Sequence, residues 1–268
     1  ESLTRNAERI KIISKERIID ELNKIIASPV PSKGFVELDR CGLLPLIFPE
    51  LAALQGVEKM NGRAHKDNFY HTLEVLDNVA RHTDNLWLRW AALLHDTGKP
   101  STFTMDEAGQ GHFYGHAEES ASMADAVLRR LKAPTALRLQ VTDLIGLHMT
   151  KLEPDKKLLR RRLGKLGQER LEQLLQLQEA DMGSKGMGNA SMSHFPLVRK
   201  MIQEILAEGS CLQLKDLAVD GRDLMELGFH PGPELGKCLD ALLNQVLDGN
   251  LPNEKEALLE KARHFLVE

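Results

Sequence analysis

Apolar positions recur along this chain at intervals of three and four residues, the spacing that gathers them on one face of an α-helix. Ile18, Ile19, Leu22, Ile25 and Ile26 make the first stripe, with Ser14 as its expected N-cap and Glu16 in its first turn. Pro29, Pro31 and Gly34 then read as breakers. A second helix is expected behind Asn68 as cap, with Phe69, Leu73, Leu76 and Ala80 on its buried face. Residues 86–94 are apolar on nearly every side, which predicts a central helix. Further helices are expected over 116–131, 134–148 (Pro134 suiting a first turn), 168–181, 195–207, 233–246 and 253–265. Strand alternation is missing apart from a short excursion within 102–113, and the Gly-, Ser- and Met-rich stretch 183–193 reads as a loop. The expected fold class is all-α.

Composition narrows the class without naming a function. The 268 residues are 42% hydrophobic and 28% charged, ordinary for a globular chain with room for a sizeable core. A formal net charge of −4 gives no global pull toward nucleic acid, although local basic patches remain possible. The three cysteines, Cys41, Cys211 and Cys238, form no CxxC pair, which excludes a zinc ribbon and suits a reducing cytoplasm. No apolar stretch approaches the ~18 residues of a membrane span.

The chemistry concentrates at helix ends. Leu93-Leu94-His95-Asp96-Thr97-Gly98-Lys99 carries an apolar run straight into an imidazole and a carboxylate. Neighbours on a helix point about 100° apart, so both can serve one ion only at an end or a bend. His71 lies beside the apolar face of its helix, His116 opens a helix, His148 closes one, and Asp181 closes another. Burying such groups is costly unless they are paired or bound to an ion, and convergence on a metal would satisfy them together. A mixed His and carboxylate set suits Mn, Fe, Co, Ni or Zn better than Ca. Water in an open coordination position would have its pKa lowered, in favourable cases to about 7. With two ions Asp96 is the natural bridge, and Lys99 could hold a phosphate oxygen. His65 stands between a substrate-facing role and an ordinary one. His82, His112, His194, His230 and His264 read as surface or loop residues.

The order His71, His95-Asp96, His116, His148, Asp181 resembles the HD superfamily of metal-dependent phosphohydrolases. The segments 66–78, 88–100 and 111–118 resemble, more narrowly, bacterial tRNA nucleotidyltransferases (CCA-adding enzymes and poly(A) polymerases) that carry an HD domain. Residues 9–21 and 42–51 look like the segment that follows the catalytic core of those enzymes. Residues 220–225, 231–233 and 253–258 look like their helical tail. The resemblance implies an HD-domain helical bundle over 61–185, a helical neck over 1–60 and a helical tail over 186–268. It also implies one or two divalent ions (Mg included), with His71, His95, Asp96 and Asp181 on the first and Asp96, His116 and His148 on the second. The polymerising head of the family needs a Gly-Gly loop and a paired-Asp strand motif, and neither occurs here, so nucleotide addition is not expected of this chain alone.

Two functions then compete. One is hydrolysis of phosphomonoesters or 2′,3′-cyclic phosphodiesters on nucleotides or RNA ends, with Asp96 and Lys99 catalytic and His65 and Lys99 facing substrate. The other is a non-catalytic tRNA-binding body. Its local support is the basic run at Lys156, Lys157, Arg160, Arg161, Arg162 and Lys165, in which Lys157, Arg160, Arg161 and Lys165 share one side at helical spacing. A solvated helix face is the plainer reading of that run. The stretch 182–192 reads as a linker or as a lid over the site. No membrane partner is expected, and the sequence leaves oligomeric state open.

Overall fold

In the computed structural model, which describes residues 2–56, 67–185, 192–209 and 211–266, the chain is helical almost throughout. It divides into two compact units, one of Glu1–Thr150 with Glu172–Met192, the other of Lys151–Leu171 with Ser193–Glu268. The boundary expected at residue 60 falls inside the first unit. Among the described residues no helix is long and apolar enough to cross a membrane.

The first unit begins with α1 (Ser2–Arg5), a 3-10 helix (Ala7–Ile12) and α2 (Lys15–Ala27), then α3 (Ser32–Arg40), α4 (Leu44–Ile47) and α5 (Pro49–Ala52). Ser14 caps α2 as expected, accepting from Arg17 N. The breaker reading of Gly34 is corrected, because it lies inside α3, where a Cβ would come within 2.4 Å of Ile25 Cγ2. Close packing of α3 on α2 requires a glycine there, and that need outweighs its poor helix propensity.

The segment that positions the site comprises α6 (Asn68–His82), α7 (Leu86–Leu94), α8 (Lys99–Thr102), the antiparallel strands β1 (Thr104–Met105) and β2 (Gly111–His112), α9 (His116–Arg130) and α10 (Thr135–Leu147). The N-cap of α6 is Asp67, one residue before the expected Asn68; its carboxylate accepts from Phe69 N at 2.8 Å and from Gly56 N at 3.0 Å. Asn85 caps α7 by accepting from Trp87 N and Leu88 N. Leu88 and Trp90 through Leu94 are all buried, so α7 is the central helix, packed by α2, α6 and α10.

One charge sits within that apolar helix. Arg89 is 2% exposed and donates to the carbonyls of Ile26 and Ser28 at the end of α2, to those of Ala80 and Thr83 at the end of α6, and to Asp84. Helix C-termini leave carbonyls without partners and carry partial negative charge, so a guanidinium placed between two of them satisfies both.

The second unit contains α11 (Lys156–Leu166), α13 (His194–Ala207), α14 (Gly221–Glu226), α15 (Pro233–Leu247) and α16 (Lys255–Phe265). Part of its core gathers Leu217, Val219, Leu224, Phe229, Leu242 and Leu258 with Cys211 and Cys238. Between α11 and α13 in sequence lies α12 (Gln168–Ser184), whose residues from Glu172 onward belong to the first unit. α12 runs three residues past the expected end at Asp181, so 183 and 184 are helix and not loop.

Candidate metal centre

α7 ends at Leu94, and the chain turns through His95, Asp96 and Thr97 before α8 begins at Lys99. Thr97 supports the turn, its N and Oγ1 both donating to Leu94 O. Gly98 makes the turn fit. A Cβ on it would lie 2.7 Å from Ser120 N, 2.8 Å from His116 O and 2.9 Å from Glu119 Cβ, all in the first turns of α9. Gly98 N donates instead to Ser120 Oγ at 2.9 Å, which holds the His95-Asp96 turn against the residue that opens α9.

Six of the expected residues meet in the first unit. Nε2 of His71 lies 2.9 Å from Asp181 Oδ1 and 3.6 Å from Asp96 Oδ2. Nε2 of His95 lies 3.2 Å from Asp96 Oδ2 and 3.7 Å from Asp181 Oδ1. The other oxygen of Asp96, Oδ1, is 3.6 Å from His116 Nε2, which is in turn 3.2 Å from His148 Nε2. Asp96 thus turns one oxygen to His71, His95 and Asp181 and the other toward His116. The donor atoms within each of the two groups, the second of which is Asp96, His116 and His148, lie within 4.8 Å of one another. All of these histidines and Asp96 are buried.

The second nitrogen of every imidazole is committed elsewhere. His95 Nδ1 lies 2.9 Å from Ala92 O, His116 Nδ1 2.8 Å from Phe113 O and His148 Nδ1 2.7 Å from Ile145 O. Those acceptors assign the proton to Nδ1 and leave the Nε2 lone pair facing inward, the arrangement of metal-binding histidines. His71 Nδ1 instead lies 2.8 Å from Ser184 Oγ, whose own hydrogen goes to Asp181 O at 2.7 Å. Nε2 of His71 and His95, Asp96 Oδ2 and Asp181 Oδ1 are buried and lack well-directed hydrogen bonds. Two inward lone pairs 3.2 Å apart at His116 and His148 repel unless a cation lies near them. On these grounds the residues fit a divalent ion at either group.

Burial pushes the His71 imidazole down, and burial with the charge of His95 takes His148 down to about 4. Burial opposes a charge on His95 as well, but Asp96 and Asp181 outweigh it and raise that residue to about 9. Burial alone would raise both carboxylates. His95 and Lys99 instead hold Asp96 well below the usual range, and His71, His95 and Lys185 do the same for Asp181. Without an ion His95 takes a second proton, on Nε2, between two ionised carboxylates; a divalent ion would replace that proton and leave the Nε2 lone pair to bind it.

Two lysines approach the carboxylates directly. Lys99 Nζ is 2.7 Å from Asp96 Oδ2 and 5.5 Å from the centre of the Phe113 ring, and Lys185 Nζ is 2.6 Å from Asp181 Oδ2. His65 lies outside the described residues, as does most of the stretch read as lid or linker, of which Met182–Ser184 is helix. In the second unit, Lys157 and Arg161 pair with Asp248, and Lys156 and Arg160 pair with Glu208. Lys165 belongs to the same helix and lines a surface hollow with Arg161, Leu214 and Lys215.

Ser184, Gln178 and Asn78 are supporting residues that sequence reasoning missed. Gln178 Nε2 donates to His148 O and Thr150 O, and Asn78 Nδ2 to Ala180 O. Each joins segments far apart in sequence, and no periodicity marks them.

Comparison with known proteins agrees with the architecture. Residues 112–262 match the family model for tRNA nucleotidyltransferase domain 2, and residues 1–55 match that for the RNA- and SrmB-binding site of polymerase A. The A-adding tRNA nucleotidyltransferase of Deinococcus radiodurans is 34% identical over 256 residues, covering 94% of this chain and 58% of that protein. The CC-adding tRNA nucleotidyltransferase of Thermus thermophilus is 32% identical over 255 residues, covering 91% and 55%. A multifunctional CCA protein of Nitrosococcus oceani is 33% identical over 135 residues, covering 50% and 32%. The chain therefore spans little more than half the length of the first two relatives. With one family model matched over more than half of its residues, the chain belongs to the tRNA nucleotidyltransferase family.

Proposed function

We propose that the first unit is an HD-type, metal-dependent phosphohydrolase centre acting on phosphomonoesters or 2′,3′-cyclic phosphodiesters of nucleotides or RNA ends. The division of Asp96 carries this reading: one oxygen faces His71, His95 and Asp181, the other faces His116, with His148 beyond. His71, His95, Asp96 and Asp181 would hold one divalent ion and Asp96, His116 and His148 a second, in a donor set that suits Mn, Fe, Co, Ni, Zn or Mg. An ion held there supplies an acidified water and a Lewis-acid pull on a phosphoryl oxygen. Four Nδ1 contacts fix the imidazoles so that their Nε2 atoms need no reorientation. Lys99, released from Asp96 Oδ2, steadies a phosphate oxygen as charge accumulates on it. The test is metal analysis of the purified protein, with turnover of such esters in added Mn²⁺, Co²⁺ or Ni²⁺, beside Asp96→Ala. Loss of both metal and turnover in the variant is expected. A wild-type protein that holds no transition metal and cleaves none of the esters refutes the reading.

A second role on the same chain is tRNA binding. It is supported by the match of residues 1–55 to an RNA-binding family and by the tRNA-acting names of the relatives. On α11 and the adjoining hollow, Lys157, Arg160, Arg161 and Lys165 are the residues proposed to meet phosphates. Asp248 and Glu208 offset four cations of this helix with two carboxylates, which leaves a positive excess. Removing two phosphate contacts with Lys157→Ala and Arg161→Ala should weaken tRNA binding and flatten its salt dependence by roughly two units of slope. Unchanged binding would remove these residues from the interface.

A further inference from the structure

A hairpin beside the centre carries exposed aromatic surface that the metal chemistry does not use. β1 and β2 pair with Thr104 opposite His112, so Phe103 and Phe113 face each other one position outward and share the opposite face. Their ring centres are 5.5 Å apart, tilted by 46°. Phe103 is 37% exposed, although a core position would have buried it. The pair is tied to the centre in two ways. The carbonyl of Phe113 receives His116 Nδ1, and its ring lies 5.5 Å from Lys99 Nζ, itself 2.7 Å from Asp96 Oδ2. Ring and carboxylate oxygen are therefore no more than about 8 Å apart.

We infer that Phe103 and Phe113 form a stacking platform for the base of a nucleotide whose phosphate lies against Lys99, beside the ion that Asp96 would help to hold. The ligand class is a nucleoside monophosphate or a terminal nucleotide with an unpaired base. The order of ammonium and then aromatic face matches the order of phosphate and base along a nucleotide. Lys99 is placed to touch the phosphate while its other flank rests on Phe113. Stacking needs no hydrogen-bond pattern, so the platform favours a base over no base and discriminates little among bases. The inference rests on the phosphate site proposed above and adds the feature that would select nucleotides from other phosphoesters.

The experiment is calorimetric titration of the whole chain, with and without Mn²⁺, using adenosine 3′-monophosphate and, separately, inorganic phosphate. The wild-type protein should bind the nucleotide about tenfold more tightly than phosphate. Phe103→Ala and the gentler Phe103→Leu, both surface changes, should each reduce nucleotide affinity about tenfold and leave phosphate affinity unchanged. The inference is overturned if the nucleotide binds no better than phosphate, if neither binds, if the variants retain the preference, or if both ligands weaken together. Hydrolysis is measured apart from this. A protein that binds the nucleotide in this way but cleaves no ester would refute the phosphohydrolase reading and leave the platform standing.

Discussion

Replacing Gly98 by alanine should damage one half of the proposed metal centre more than the other. Gly98 has ordinary right-handed dihedrals, φ −80° and ψ −8°, so the backbone tolerates a side chain and only space is at issue. The new Cβ would meet Ser120 N at 2.7 Å and His116 O at 2.8 Å, both backbone atoms that no rotamer change can move. Relief requires α9 to shift away from the turn or the turn to shift away from α9. Overpacking of this kind costs about 1–3 kcal/mol. Weakening the Gly98 N–Ser120 Oγ bond adds about 1 kcal/mol, and the stiffer unfolded chain returns about 0.5–1 kcal/mol. The expected net loss is about 2 kcal/mol. Both tryptophans of the chain, Trp87 and Trp90, lie on α7, so urea unfolding followed by their fluorescence reports the first unit alone. His116 rides on α9, whereas His71, His95 and Asp181 do not, so the ion between His116 and His148 should weaken more than the other. Stability within about 0.5 kcal/mol of wild type, or equal weakening of both ions, would show that the contact between turn and helix does not hold the site.

Other outcomes follow from the same geometry. Ser184→Ala removes the hydroxyl that holds His71 Nδ1 and should lower metal affinity about 10–100-fold in competition with a chromogenic chelator, with stability changed by no more than about 1.5 kcal/mol. Arg89→Met strands carbonyls at the ends of α2 and α6 and should cost about 2–4 kcal/mol by the same tryptophan-detected unfolding, although the residue is remote from the chemistry. Stripping metal with a chelator should lower the unfolding midpoint, and restoring it at a hundredfold over its dissociation constant should return about 2.7 kcal/mol. Burial raises the thiol of Cys211 to about 11 and pushes that of Cys238 up as well, which suppresses both thiolates. At pH 8 a thiol reagent should label these two only after unfolding, with the reactivity of Cys211 rising as the pH approaches 11.

Where the chain announced its structure, it did so through period and residue type. The run over 86–94, apolar but for Arg89, is too hydrophobic for a surface helix, and it is the central one. The six candidate ligands were legible because imidazoles and carboxylates at the ends of apolar helices are expensive without a shared purpose, and the structure brings all six together. What stayed hidden depends on distant neighbours. Gly34 reads as a breaker until Ile25 is seen to occupy the space of its missing side chain. Gly183 and Ser184 read as loop, yet Ser184 ends α12 and reaches a histidine 113 residues away. The role of Arg89 leaves no mark in the sequence, because its carbonyl partners at the end of α2 lie some 60 positions earlier.

The four imidazoles are held by two different means, with a consequence for the order in which the centre comes into being. His95, His116 and His148 each lean on a carbonyl three residues behind, within their own turn. Their aim is set as soon as those helix ends form. His71 is aimed by Ser184, which leaves the ribosome more than a hundred residues later. Asp181 arrives with the same late helix. A nascent chain ending near residue 150 would already carry the Asp96, His116 and His148 lobe, while the other lobe would still lack a carboxylate and the partner that orients its outermost histidine. Cation capture at that second lobe would thereby be timed to the docking of α12, so that an ion retained there distinguishes a finished first unit from an unfinished one.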